Sequence, residues 1–129
     1  MKVLVIDDSD LARTHVRRLL HRVGMVVFEQ PSAIGATRSI IQNGIEAVVV
    51  DVSMPGLSGE KLVGVLRKNP RLRDLVVVII SAKSWDELEE VAGTCGADAL
   101  LPKDRVEVEL PDLLRQLHLK RCMRRSAIA

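Results

Sequence analysis

Leu75-Val76-Val77-Val78-Ile79-Ile80, with Ser81 directly after it, decides the fold of this 129-residue chain. Six apolar residues follow one another without polar alternation. A strand with one wet face alternates; an unbroken β-branched run of this length is a strand buried on both faces, as in a parallel sheet. Parallel neighbours need crossover connections, usually helices. The flanking sequence should therefore alternate between strand and helix patterns.

It does so in both directions. Upstream, Leu62, Val63 and Leu66 mark a helix that ends before Pro70, preceded by the Pro- and Gly-rich loop Met54 to Gly59. Ala47 to Val50 is a strand. Pro31-Ser32 opens a helix running to about Asn43 and stopped by Gly44, with Ala33, Ala36 and Ile40 facing inward. Met25 to Glu29 reads as a strand. Ala12, Val16, Leu19, Leu20 and Val23 form a helical stripe closed by Gly24. Lys2 to Ile6 is the first strand. Downstream, Leu88, Val91, Ala92 and Cys95 give a fourth helix, Ala97 to Leu101 a short fifth strand, and Leu110, Leu113, Leu114 and Leu117 a fifth helix with Pro111 in its first turn. Five such units predict an α/β fold, a doubly wound five-stranded parallel sheet with helices on both faces.

Bulk composition agrees with one soluble domain. Hydrophobic residues make up 47% of the chain, and Phe28 and Trp85 are its aromatics, so the core is aliphatic. Net charge is +2. Five basic residues and no acidic one fall from Arg115 onward, leaving the preceding part at −3. That uneven tail is not a basic stripe across a face, so nucleic acid is not an expected partner. Cys95 and Cys122 lack metal spacing and are read as reduced thiols. No apolar run approaches the ~18 residues of a membrane span, so no membrane insertion is expected, and the cytoplasm is the expected location. His15, His21 and His118 lie on predicted helices without metal spacing and read as surface residues.

The chemistry lies where the strands stop. Asp7 and Asp8 follow the first strand, Asp51 the third, Ser81 the fourth and Lys103 the fifth. Open α/β sheets bind ligands at the carboxyl edge, where the strand order reverses; in the order 2-1-3-4-5 that point lies between the first and third strands. Three carboxylates there repel one another by about 4 kcal/mol per pair at ~4 Å and an effective dielectric of ~20. A hard divalent cation relieves that repulsion, and Mg²⁺ is commonly bound through one or two carboxylates plus a phosphate. Asp10 reads differently, as a first-turn acid beside a helix cap at Ser9 or an Asp.

Asp7-Asp8, Asp51 with Met54-Pro55 and Gly59, Ser81-Ala82 and Lys103, in this order and spacing, resemble the response-regulator receiver domain of two-component signalling. The resemblance runs from Lys2 to about Leu119. It implies the flavodoxin-like (βα)5 fold over residues 1–119, with 120–129 as a basic C-terminal tail. It implies that Asp51 is the phosphoacceptor, and that Asp8, Asp51 and the backbone carbonyl of Ser53 hold Mg²⁺ or Mn²⁺, with Asp7 acting through water. Ser81 would be the switch hydroxyl, the Ala82 N–H a donor to the phosphoryl group, and Lys103 the phosphate partner. The implied partners are a sensor histidine kinase or phosphotransfer protein and a downstream protein target. The chain would be a monomer or weak homodimer, and not an enzyme beyond assisting its own phosphorylation and dephosphorylation. Two departures stand out. Pro102 precedes Lys103 where the family usually has proline after the lysine, and Leu100 occupies a position often held by Tyr or Phe.

Other readings are weaker. An aspartyl-phosphate phosphatase commonly carries a second acid two residues after its nucleophile, where this chain has Ser53. An FMN binder needs a Gly/Ser/Thr-rich first loop, and Asp7-Asp8-Ser9-Asp10 is acidic. A receiver part of a longer DNA-binding or enzymatic regulator keeps the same fold and site, with Lys120 to Arg125 beginning a linker.

Overall fold

A computed structural model describes residues 1–52, 59–82 and 96–128. The predicted fourth helix with Cys95, Trp85 and the loop residues 53–58 lie outside the described residues. The described elements run β1 (Lys2–Ile6), α1 (Asp10–His21), β2 (Val26–Gln30), α2 (Ala36–Asn43), β3 (Ala47–Asp51), α3 (Gly59–Arg67), β4 (Val76–Ser81), β5 (Ala99–Pro102) and α4 (Val106–Ile128). Short 3-10 turns at Pro70–Leu72 and Lys103–Arg105 follow α3 and β5. The strands form one parallel sheet in the order 2-1-3-4-5.

The unbroken apolar run around Val78 is the sheet's interior. Every residue of β3 and β4 is buried, whereas β2, at an edge, has no fully buried residue. Strand pleating sends neighbours to opposite faces, and two cores result. Leu4, Ile6, Val48, Val50, Val77 and Ile79 face α2 and α3 through Ala36, Ile40, Leu62, Val63 and Leu66. Val3, Val5, Ala47, Val49, Val76, Val78 and Ile80 face α1 and α4 through Val16, Leu20, Val106, Leu110 and Leu114. Each of these Val, Leu and Ile side chains contributes about 1.5–3 kcal/mol on burial, so the sheet's two cores are built chiefly from aliphatic groups.

Three local expectations are corrected. α2 begins at Ala36 rather than at Pro31-Ser32. The Gln30 amide donates to the carbonyls of Ser32 (2.6 Å) and Ile34 (3.0 Å), which holds that segment in a turn. Gly35 then takes φ +75°, a left-handed conformation that starts the helix one residue later. Val23 is 37% exposed and lies beyond the end of α1, outside the buried stripe. α4 starts at Val106, so Pro111 falls in its second turn rather than its first. Val-Glu-Val-Glu at 106–109 alternates like a strand, which hides the helix start; burial of Val106 one turn before Leu110 draws the segment into the helix. The same helix continues through the basic residues to Ile128. No described helix is long and apolar enough to cross a membrane.

Candidate functional site

Parallel register brings the strand ends level. Ile6 pairs with Val50, Asp51 with Ile80, and Ser81 with Pro102. The residues after or at these positions therefore share one edge. Asp7 is fully buried, Asp51 is 5% exposed, and Ser81 is fully buried. Asp8 is exposed. Asp7, Asp8 and Asp51 each offer a carboxylate oxygen, and the three atoms lie within 4.8 Å of one another.

Local structure holds each acid in place. The Asp7 backbone N–H donates to the Gln30 carbonyl at 3.2 Å, continuing the ladder one step past β1. The Ser9 N–H donates to Asp7 Oδ1 at 2.9 Å. The Ser9 hydroxyl caps α1 by accepting from the Ala12 N–H at 3.2 Å, and Asp10 sits in the first turn as expected. Val52 N–H donates to the Ile80 carbonyl at 3.0 Å, fixing the chain just after Asp51.

Lys103 reaches across from β5. Its Nζ lies 3.1 Å from Asp7 Oδ2 and 3.5 Å from Asp51 Oδ2. Partial burial lowers the tendency of this ammonium to stay charged, but its contacts with Asp7 and Asp51 outweigh that and hold its pKa above the ordinary 10.5. The unusual Pro102-Lys103 order does not misdirect the side chain. Pro102 ends an edge strand, where a missing backbone donor is tolerated, with extended φ −61° and ψ 144°.

The donor set suits a small hard cation. Counted formally, three carboxylates against one ammonium give a charge of −2. Among the described residues no hydrogen-bond donor is aligned on the buried Asp7 Oδ2, and the Lys103 ammonium approaches it as an ion pair. Buried carboxylate oxygens without a donor are costly, and a cation or its bound water at this place removes that cost. Asp8 is the most accessible of the three acids.

The family model of the response regulator receiver domain matches residues 3–115. The chain belongs to the response-regulator receiver family. It is 32% identical over 119 residues to the sensory/regulatory protein RpfC of Xanthomonas campestris, covering 91% of this chain and 16% of that protein. It is 30% identical over 120 residues to the two-component response regulator PhoP of Pseudomonas aeruginosa, covering 90% of this chain and 52% of that protein. The chain thus spans about half or less of these relatives' length. The crystal structure of response regulator TrrA from Thermotoga maritima, in complex with Mg²⁺ and BeF, has the same fold, with a TM-score of 0.77 at 23% identity, covering 90% of this chain and 97% of that one.

Within this receiver domain, strand-end logic brings Asp7, Asp8, Asp51 and Lys103 together as expected. Ser81 ends β4 at the same edge, and Ala82 follows it, exposed. Ser53 lies outside the described residues. Leu100 is half-buried against the core on the α2–α3 side. Sequence reasoning missed Arg13. Its guanidinium donates to the Asp7 carbonyl and pairs with Asp10, with Glu29 at 3.9 Å. Its side chain is only 12% exposed. The available signal was Asp10 and Arg13 at i,i+3 on one helix face.

Proposed function

We propose that this chain is a phosphoacceptor receiver in a two-component phosphorelay, with Asp51 taking the phosphoryl group from a kinase phosphohistidine. The observation that carries this reading is one ammonium, Lys103, within 3.5 Å of two strand-end acids in a three-carboxylate cluster. Receiver domains are signalling domains rather than enzymes acting on a separate substrate. An Asp51 carboxylate oxygen attacks phosphorus, the phosphorus–nitrogen bond breaks, and the donor imidazole leaves. Lys103 neutralises charge on the transferred group from a position set by Asp7. Ser81 and the Ala82 N–H donate to phosphoryl oxygens. Asp8, Asp51, the Ser53 carbonyl and Asp7 through water would hold Mg²⁺ or Mn²⁺, which would supply neutralisation of the negative charge gathered in the site.

Movement of Ser81 toward a phosphorylated Asp51 would then shift a surface that binds a downstream protein. Leu100 offers no aromatic ring to couple to that movement. In this reading residues 1–119 are the receiver unit, 120–129 a basic extension, and the site of action the cytoplasm. The lengths of the relatives equally suit a receiver part of a longer regulator.

The test is phosphate uptake from a histidine kinase or a small phosphoryl donor. Uptake should require a divalent cation, add one phosphoryl group at Asp51 by mass, and vanish in Asp51→Asn. Labelling that persists in Asp51→Asn at another residue overturns the assignment.

A further inference from the structure

We propose a second metal site, formed by Glu46, His118 and Cys122, for a borderline-soft divalent ion such as Zn²⁺. It lies at the opposite edge of the sheet from Asp51, and it stands whether or not the phosphoacceptor reading does.

His118 and Cys122 are four residues apart on α4, so one helix face presents both. Cys122 Sγ lies 3.7 Å from His118 Nε2. Glu46 Oε2 lies 3.3 Å from the same nitrogen. With Zn–N and Zn–O bonds near 2.0–2.2 Å and Zn–S near 2.3 Å, tetrahedral geometry places the N and O ligands about 3.4 Å apart and the N and S ligands about 3.6 Å apart. Both observed separations are close to those values. The acid cluster is the one group of described residues whose three ligand atoms already lie within 4.8 Å of one another. Here the third side, Cys122 Sγ to Glu46 Oε2, lies outside that 4.8 Å limit, and a metal at His118 Nε2 must draw in both the partly exposed Glu46 carboxylate and the exposed Cys122 thiol to close it.

Glu46 is held ready for the role. Its backbone N–H donates to the Lys2 carbonyl at 2.9 Å, and its carbonyl accepts from the Val76 N–H at 3.1 Å. Its Oε1 accepts from the Lys2 N–H at 3.0 Å, which leaves Oε2 facing the imidazole. All three residues line a cavity of about 280 Å³ that Asp74 also lines. Arg71 and Arg121 border it as opposing charges. Arg121 is engaged by Asp98 and by the Arg73 carbonyl. Against Arg71 stand Glu46, Asp74 and a thiol that gives up its proton on binding metal.

The experiment titrates Co²⁺ into the full chain with Mg²⁺ in large excess to occupy the acid cluster. The expected result is one Co²⁺ per chain, with visible bands of tetrahedral intensity and a near-ultraviolet sulfur-to-cobalt charge-transfer band. Zn²⁺ should displace the cobalt. Cys122→Ser should remove the charge-transfer band while Cys95→Ser keeps it, and His118→Ala or Glu46→Gln should weaken binding at least tenfold. Cys122→His should restore binding without the charge-transfer band. No charge-transfer band in the wild type, its survival in Cys122→Ser, or its loss in Asp8→Asn each overturns the proposal.

Discussion

Lys103 faces two carboxylates that repel each other, so its removal should be felt first in the metal-free protein. Truncating one partner of a buried ion pair costs about 3–5 kcal/mol. With 32% of the Lys103 side chain exposed, solvent screening reduces that, and Lys103→Ala should lose about 1–2 kcal/mol in urea unfolding at neutral pH with a chelator present. Saturating Mg²⁺ should narrow the gap, because the cation replaces the missing positive charge. The pH dependence follows from the raised pKa. The lysine's contribution is complete below 10.5, its value in the unfolded chain, and fades as pH climbs through the higher folded value. Wild-type and variant stabilities should therefore converge as pH rises from neutrality into strong alkali. A constant gap at all pH values would mean that the methylene stem, not the charge, is what matters. These acids and this lysine were legible because each stands just past an apolar run. Arg13 was not, since its contacts with Asp7 and Glu29 exist only after β1, β2 and α1 have packed.

Element boundaries were legible where burial alone sets them and hidden where a backbone device intervenes. The start of α2 depends on Gly35 at φ +75° with open space around its Cα. Gly35→Ala meets no steric contact, so its cost is that of the left-handed backbone alone, about 1–2 kcal/mol. Chemical denaturation should show it. A neutral substitution would mean that the turn before α2 relaxes freely. A second device ties α3, β4 and α4 together at the far end of the sheet. Asp98 Oδ2 accepts from the Val77 N–H at 2.7 Å and from Arg67 at 2.8 Å, and Oδ1 accepts from Arg121. Arg67 also donates to the Leu75 carbonyl at 2.8 Å and the Gly96 carbonyl at 3.0 Å. Asp98→Ala orphans the Val77 N–H and takes the shared carboxylate from Arg67 and Arg121, which keep their backbone carbonyls, at a cost of about 2–4 kcal/mol. Hydrogen exchange should rise first in the C-terminal half of α4, because Arg121 is its anchor there. Uniform loss of protection along α4 would count against a local clamp. Nothing in a one-dimensional pattern announces a carboxylate shared by two arginines 54 positions apart in the chain.

The molecule as a whole is a two-sided aliphatic core with unequal edges. Ladder and core satisfy the sheet interior, with Asp98 holding the Val77 N–H, and at the carboxyl edge Lys103 and the Ser9 N–H offset only part of the mutual repulsion of three acids. The uncompensated remainder strains the fold. Lowering their charge should then stabilise the metal-free protein, and adding a cation should do the same by another route. Asp8 is the clean place to separate the two, because it is exposed while Asp7 and Asp51 are buried against Lys103. Without metal, Asp8→Asn should raise Tm above wild type. With Mg²⁺ at a hundredfold over its Kd, wild type should gain about 2.7 kcal/mol by linkage, a rise of several degrees in Tm. Asp8→Asn should gain little of this. The two melting curves should therefore exchange order as Mg²⁺ is added. If Asp8→Asn melts below wild type without metal, or responds to Mg²⁺ as fully as wild type, then the cation is held without Asp8 and the acids at this edge are paired by something other than a shared ion.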